Sequence, residues 1–145
     1  MFWKTERQIE WKPEYSVGVK LFNEQHKMYF KLANDLQQLC CSSEPINYSI
    51  LSRMILDFTE YAFNHLAAEE EIFHKYRYHY KDEHIGKHDI FRKEMNKFKV
   101  ESDQAGADIA KIAEELAEYA SDWLINHIIV EDKKYVQFMS QNGIS

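Results

Sequence analysis

Four stretches of this chain repeat apolar side chains at alternating steps of three and four residues, and each of the four stripes includes a histidine. That period is one face of an α-helix. The first stripe, within about 19–41, reads Phe22, His26, Tyr29, Ala33, Leu36 and Cys40; the second, within about 45–76, reads Leu51, Ile55, Phe58, Ala62, His65, Glu69 and Ile72. A third, within about 81–101, has His84, His88, Phe91, Met95 and Phe98, and the fourth, within about 108–139, has Ile109, Ile112, Leu116, Ala120, Trp123 and His127. "CSSEPIN" breaks the pattern after the first stripe and "SDQAGAD" after the third, and Pro45 is suited to open the second helix. Four amphipathic helices on short connections have only one another to cover their apolar faces. The expectation is an all-α fold, an antiparallel up-down-up-down four-helix bundle over 19–140, preceded by an N-terminal arm over 1–18 with Trp3 and Trp11 as packing anchors.

At 145 residues the chain reads as one domain, large enough to bury a sizeable core. Its 18 basic and 24 acidic residues give a net charge of -6, with no Lys/Arg block to track phosphates, so no nucleic-acid partner is expected. The opening "MFWKTERQIEW" has no apolar leader core, and no run approaches the roughly 20 apolar residues of a membrane span. A cytoplasmic protein is expected. Cys40 and Cys41 are sequence neighbours that cannot normally reach disulfide geometry and should stay reduced.

The histidines within the apolar stripes call for a chemical explanation. His65 and Glu69 are four apart, as are His84 and His88, so the members of each pair point to the same side of their helix. Burying several imidazoles and a carboxylate is costly unless a cation satisfies them. Nitrogen and oxygen donors without thiolate suit iron or manganese better than structural zinc. Five histidines (His26, His65, His84, His88, His127) and two carboxylates (Glu69, Asp132) exceed what one ion takes, which points to two ions bridged by the carboxylates. The alternative is a metal-free bundle with polar core residues. His74 and His79 read as surface residues, Glu70 and Glu71 as a solvated face, and Met54 and Met95 as core filler.

Asp132 poses a register problem, because five residues of ideal α-helix turn it about 140° away from His127. Either its side chain reaches back across the bundle axis, or the fourth helix contains a π-bulge, a local i→i+5 turn.

Four motifs together resemble the hemerythrins, specifically the single-domain bacterial type: "YSVGVKLFNEQH" ending at His26, "HLAAE" from His65, "HIGKH" from His84 and "HIIVED" from His127, spanning about 11–135. The resemblance implies a non-haem di-iron centre that binds dioxygen reversibly, for oxygen storage, delivery or buffering. It assigns His84, His88 and His127 to one iron and His26 and His65 to the other. Glu69 and Asp132 would bridge them together with an oxo or hydroxo group, leaving the two-histidine iron one ligand short. Trp123 and Leu124, four and three residues before His127, share its side of the helix and should line the dioxygen pocket, and the resemblance implies a gating role for Leu124. A di-iron enzyme (peroxidase, oxidase or nitric oxide reductase) and an oxygen or redox sensor are the alternative functions on the same fold. A monomer is expected, with a redox or oxygen-using protein as partner. Three positions depart from the bacterial pattern. Asn23 stands where aspartate is common, His79 follows Tyr78 where proline is common, and Gly86 sits between two ligands, where close packing by another helix would account for it.

Overall fold

The computed structural model describes residues 8–145. Four long helices form: α1 (Lys20–Cys40), α2 (Tyr48–Lys75), α3 (Lys81–Ser102) and α4 (Ile109–Asn126). The chain then continues through a π turn at His127–Glu131, a 3-10 turn at Asp132–Tyr135 and a short α5 (Val136–Gln141). There is no strand among the described residues. α1 packs against α2 and α4, and α3 against the same two, so consecutive helices are neighbours around a ring and the bundle is antiparallel up-down-up-down. The stripes face inward as their period requires. Phe22, Ala33, Leu36, Leu51, Ile55, Phe58, Phe91, Met95, Leu116 and Ala120 are all essentially inaccessible to solvent. Ile72 is only half-buried, and Phe73 takes the core position beside it.

The helix starts follow hydrogen bonding rather than proline placement. Pro45 lies outside α2; Asn47 caps it instead, its side chain accepting from the Ile50 N–H at 2.9 Å. A side-chain acceptor satisfies one of the free N–H groups of the first turn, whereas a proline only presets φ. Asp108 caps α4 in the same way through the Lys111 N–H. α2 closes with Arg77 in the left-handed region (φ 55°) and the Tyr78 N–H bonded to the Phe73 carbonyl at 2.9 Å. Tyr78 is buried there against the rings of Phe73 and Phe138, and His79 stays exposed.

Residues 8–18 are tied to α1 by two asparagine side chains. Asn34 brackets Ile9, accepting from its N–H at 2.8 Å and donating to its carbonyl at 2.7 Å. Asn23 accepts from the Val17 N–H at 2.9 Å and donates to Ser16 Oγ at 2.9 Å. The amide uses a donor and an acceptor at once, which accounts for asparagine at this position. Trp11 is half-buried with Lys27 Nζ 4.5 Å from its ring centre; Trp3 lies outside the described residues. Gly86, by contrast, sits on an exposed face with nothing within 4 Å of where a Cβ would be, so helix packing does not account for it and nothing in the structure explains it. No helix among the described residues is long and apolar enough to cross a membrane.

Candidate metal centre

One helix contributes each part of a single buried cluster. α1 provides His26, α2 provides His65 and Glu69, α3 provides His84 and His88, and the non-α stretch after α4 provides His127 and Asp132. None of the seven is more than 7% exposed. The atoms that could ligate a metal fall into two groups: those of Glu69, His84, His88 and His127 lie within 4.8 Å of one another, as do those of His26, His65, Glu69 and Asp132.

The two carboxylates divide their oxygens between the groups. Asp132 Oδ1 lies 3.1 Å from His84 Nε2 and 3.0 Å from His127 Nε2, and its Oδ2 lies 3.2 Å from His26 Nε2. Glu69 Oε1 lies 3.2 Å from His88 Nε2, and its Oε2 lies 3.5 Å from His65 Nε2. Three imidazoles therefore surround one position and two surround the other, with a carboxylate oxygen from each acid turned to both.

The π turn resolves the register of Asp132. Its N–H bonds to the His127 carbonyl, five residues back, as well as to the Ile128 carbonyl. One i→i+5 turn brings Asp132 round to the side of His127. The following 3-10 turn, in which side chains three apart eclipse, does the same for Tyr135, whose hydroxyl donates to Glu69 Oε2 at 2.5 Å.

The donor set fits a pair of cations. His26 Nε2 faces His65 Nε2 at 3.0 Å and His88 Nε2 faces His127 Nε2 at 3.2 Å, so lone pairs converge where at most one proton can sit between each pair. Glu69 Oε1, both Asp132 oxygens and His84 Nε2 are buried without a hydrogen-bond partner among the described residues. Such orphaned polar atoms are costly unless an ion takes them up. Burial opposes charge on His84, yet the carboxylates of Asp132 and Glu69, 3.1 and 3.6 Å from its Nε2, carry its pKa up to about 9. For His65 burial is the largest cause and takes it down to about 4, against the opposing pull of Glu69. Burial pushes the Asp132 carboxyl up, but the imidazoles of His127, His26 and His84, whose Nε2 atoms lie 3.0, 3.2 and 3.1 Å from its oxygens, outweigh it and hold the group well below the usual carboxylate range. An ionised pair of acids ringed by nitrogen donors attracts cations, and nitrogen with oxygen suits iron or manganese.

Behind the imidazoles stands a second set of partners. A carboxylate or amide oxygen only accepts, so His88 Nδ1–H donates to Glu70 Oε2 at 2.7 Å and His65 Nδ1–H donates to Gln25 Oε1 at 2.5 Å. Arg92 holds Glu70 at 2.9 Å and Asp89 at 2.9 Å.

Residues 17–139 match the family model described as the hemerythrin HHE cation binding domain, which covers most of the chain. The chain belongs to the hemerythrin family. It is 27% identical over 128 residues to the bacteriohemerythrin of Pseudomonas aeruginosa (strain UCBPP-PA14), covering 88% of this chain and 79% of the relative. With the bacteriohemerythrin of Clostridium acetobutylicum it shares 25% identity over 127 residues, 87% of this chain and 97% of the relative. The hemerythrin-like protein of Naegleria fowleri is 30% identical over 127 residues, 88% of this chain and 90% of the relative.

Within this hemerythrin bundle the surface expectation for His74, His79 and Glu71 is met, whereas Glu70 is not part of a solvated face. It lies about 100° round α2 from Glu69, on the side where α3 approaches, and that rotation carries it to the back of His88. Arg92, one turn after His88, is the only trace of this in the sequence. Gln25 leaves none, since stripe periodicity says nothing about the residue beside a stripe. Of the two residues expected to line a dioxygen pocket, Leu124 is 2% exposed in the core. Trp123 lies flat on the His127 ring, 4.3 Å between centres and 11° between planes, and also packs against Phe91. It therefore sits on the three-imidazole side, where it borders a surface groove of about 430 Å³ shared with Lys87 and Val130.

Proposed function

We propose that the chain binds dioxygen reversibly at a di-iron centre, with His84, His88 and His127 on one iron, His26 and His65 on the other, and Glu69 and Asp132 as bridges. What supports this above all is the division of carboxylate oxygens between a three-imidazole and a two-imidazole group, because it makes one position poorer by a protein donor and leaves room there for a small ligand. The names of the bacteriohemerythrin relatives agree with it. Ferrous ions, when bound, supply the two electrons that dioxygen takes up and returns on release.

The protein's own part is to hold the donors rigidly and keep water out. Phe22 packs edge-on against His65, 5.5 Å between ring centres, and Leu124 and Ile128 are closed to solvent. A dry apolar shell limits the entry of water and protons to a metal site. Tyr135 fixes the Glu69 carboxylate through its hydroxyl, so that carboxylate cannot swing away from the two groups it joins. We place the protein in the cytoplasm as a monomer whose domain occupies residues 19–140.

Metal analysis together with visible spectra tests the proposal. Two irons per chain are expected, with a colour that appears when dithionite-reduced protein meets air and disappears on deoxygenation. Rapid turnover with added reductant would instead assign the centre to an oxidase or peroxidase, and a chain without iron would end the proposal.

A further inference from the structure

The partners behind the imidazoles differ in charge between the two metal positions. In the three-imidazole group His88 Nδ1 faces the Glu70 carboxylate at 2.7 Å. In the two-imidazole group neither ring has an anion behind it: His65 faces the neutral oxygen of Gln25, and His26 Nδ1 has no partner among the described residues. Glu70 is no incidental neighbour. It is largely buried, and Arg92, itself anchored on Asp89, holds it in place across the α2 and α3 seam.

An anionic acceptor on the far nitrogen of a ligating imidazole fixes the tautomer and raises the basicity of the nitrogen that faces the metal. A neutral amide fixes the tautomer with much less electron push. We propose that Glu70 and Gln25 are positioning residues that make the two metal positions unequal, so that the three-imidazole position holds its iron more tightly than donor number alone would give. The two-imidazole position is thereby the one that releases metal first. This rests on the two-metal reading of the site but not on dioxygen binding.

The test uses the iron-loaded full-length chain, held anaerobic and ferrous, and measures iron retained against a graded excess of a ferrous chelator. Two release steps are expected in the unaltered protein. Glu70→Gln keeps the shape and one acceptor oxygen, for His88, but removes the charge and turns an NH2 in place of an oxygen toward Arg92. It should weaken the tighter step about 10- to 100-fold, the usual effect of losing such a partner, and move the weaker step little. Gln25→Glu should tighten the weaker step, and the double exchange Glu70→Gln with Gln25→Glu should narrow or reverse the gap. A purely structural role for Glu70 predicts no change in the gap, because the shape is preserved. Melting curves of each loaded variant exclude misfolding as the cause of any loss. A gap unmoved by Glu70→Gln, or both steps weakened equally, overturns the inference while leaving the two-metal site standing. Fewer than two irons in the unaltered chain overturns both.

Discussion

Glu69 is the residue on which the two halves of the site meet, since its oxygens face His88 on one side and His65 on the other while Tyr135 pins it from behind. Its neighbour Glu71, two positions on, is exposed. Glu69→Ala is therefore expected to abolish paired iron binding, and Glu71→Ala to leave two irons per chain; equal iron content in the two variants would disprove the facing argument. Glu70→Ala should fall between them, because Glu70 bonds the far nitrogen of His88 and does not itself face either group of donors. Leu124 and Leu116 offer a second contrast, both being buried leucines of α4. Truncating either to alanine should cost about 2–5 kcal/mol of stability. Only Leu124, one turn before His127, is expected to change chemistry: Leu124→Ala should hold near-normal iron but oxidise irreversibly faster in air than Leu116→Ala. Matching oxidation rates in the two variants would reduce Leu124 to a packing residue.

At the scale of an element, the departure from α geometry after Asn126 decides whether the fourth helix can serve the site at all. His127, Asp132 and Tyr135 reach one side because a widened turn precedes a tightened one. Within the π turn Ile129 and Val130 are exposed, so chain length can be changed there without touching the core. Deleting Val130 leaves four residues of rotation between His127 and Asp132, about 40° apart on an ordinary helix, and iron binding should survive. Inserting one alanine after Val130 adds about 100° and should abolish it. Iron per chain after anaerobic reconstitution reads both. Loss of iron in the deletion variant would mean that the π geometry itself, not the register it restores, is required.

For the whole molecule the consequence is that folding and metal binding are linked. All four sides of the bundle contribute donors, so the metal-free protein gathers two acids and five imidazoles in its interior, with several polar atoms unpartnered. An ion present at 100 times its dissociation constant adds about 2.7 kcal/mol to stability, which for a domain of this size is roughly 5–10 °C in Tm. Calorimetry of iron-loaded and iron-stripped protein should show at least that difference. Identical melting temperatures would contradict the linkage.

Local period is enough to read the helices, because a side chain every three or four residues faces the same way whatever lies opposite. For that reason the inward-facing His26, His65, Glu69, His84, His88 and His127, and the four-helix architecture itself, are legible in the sequence alone. Asp132 is legible there as a donor but not in its means of reaching the others, since an i→i+5 turn and a long reach leave the same spacing in the chain. Glu70, Gln25 and Tyr135 are not legible as partners of the site. Each acts across a seam between helices, and a seam depends on how two helices rotate and slide against each other. That rotation is set by packing of the whole bundle, so only the tertiary structure could decide that one acid stands behind His88 and a neutral amide behind His65.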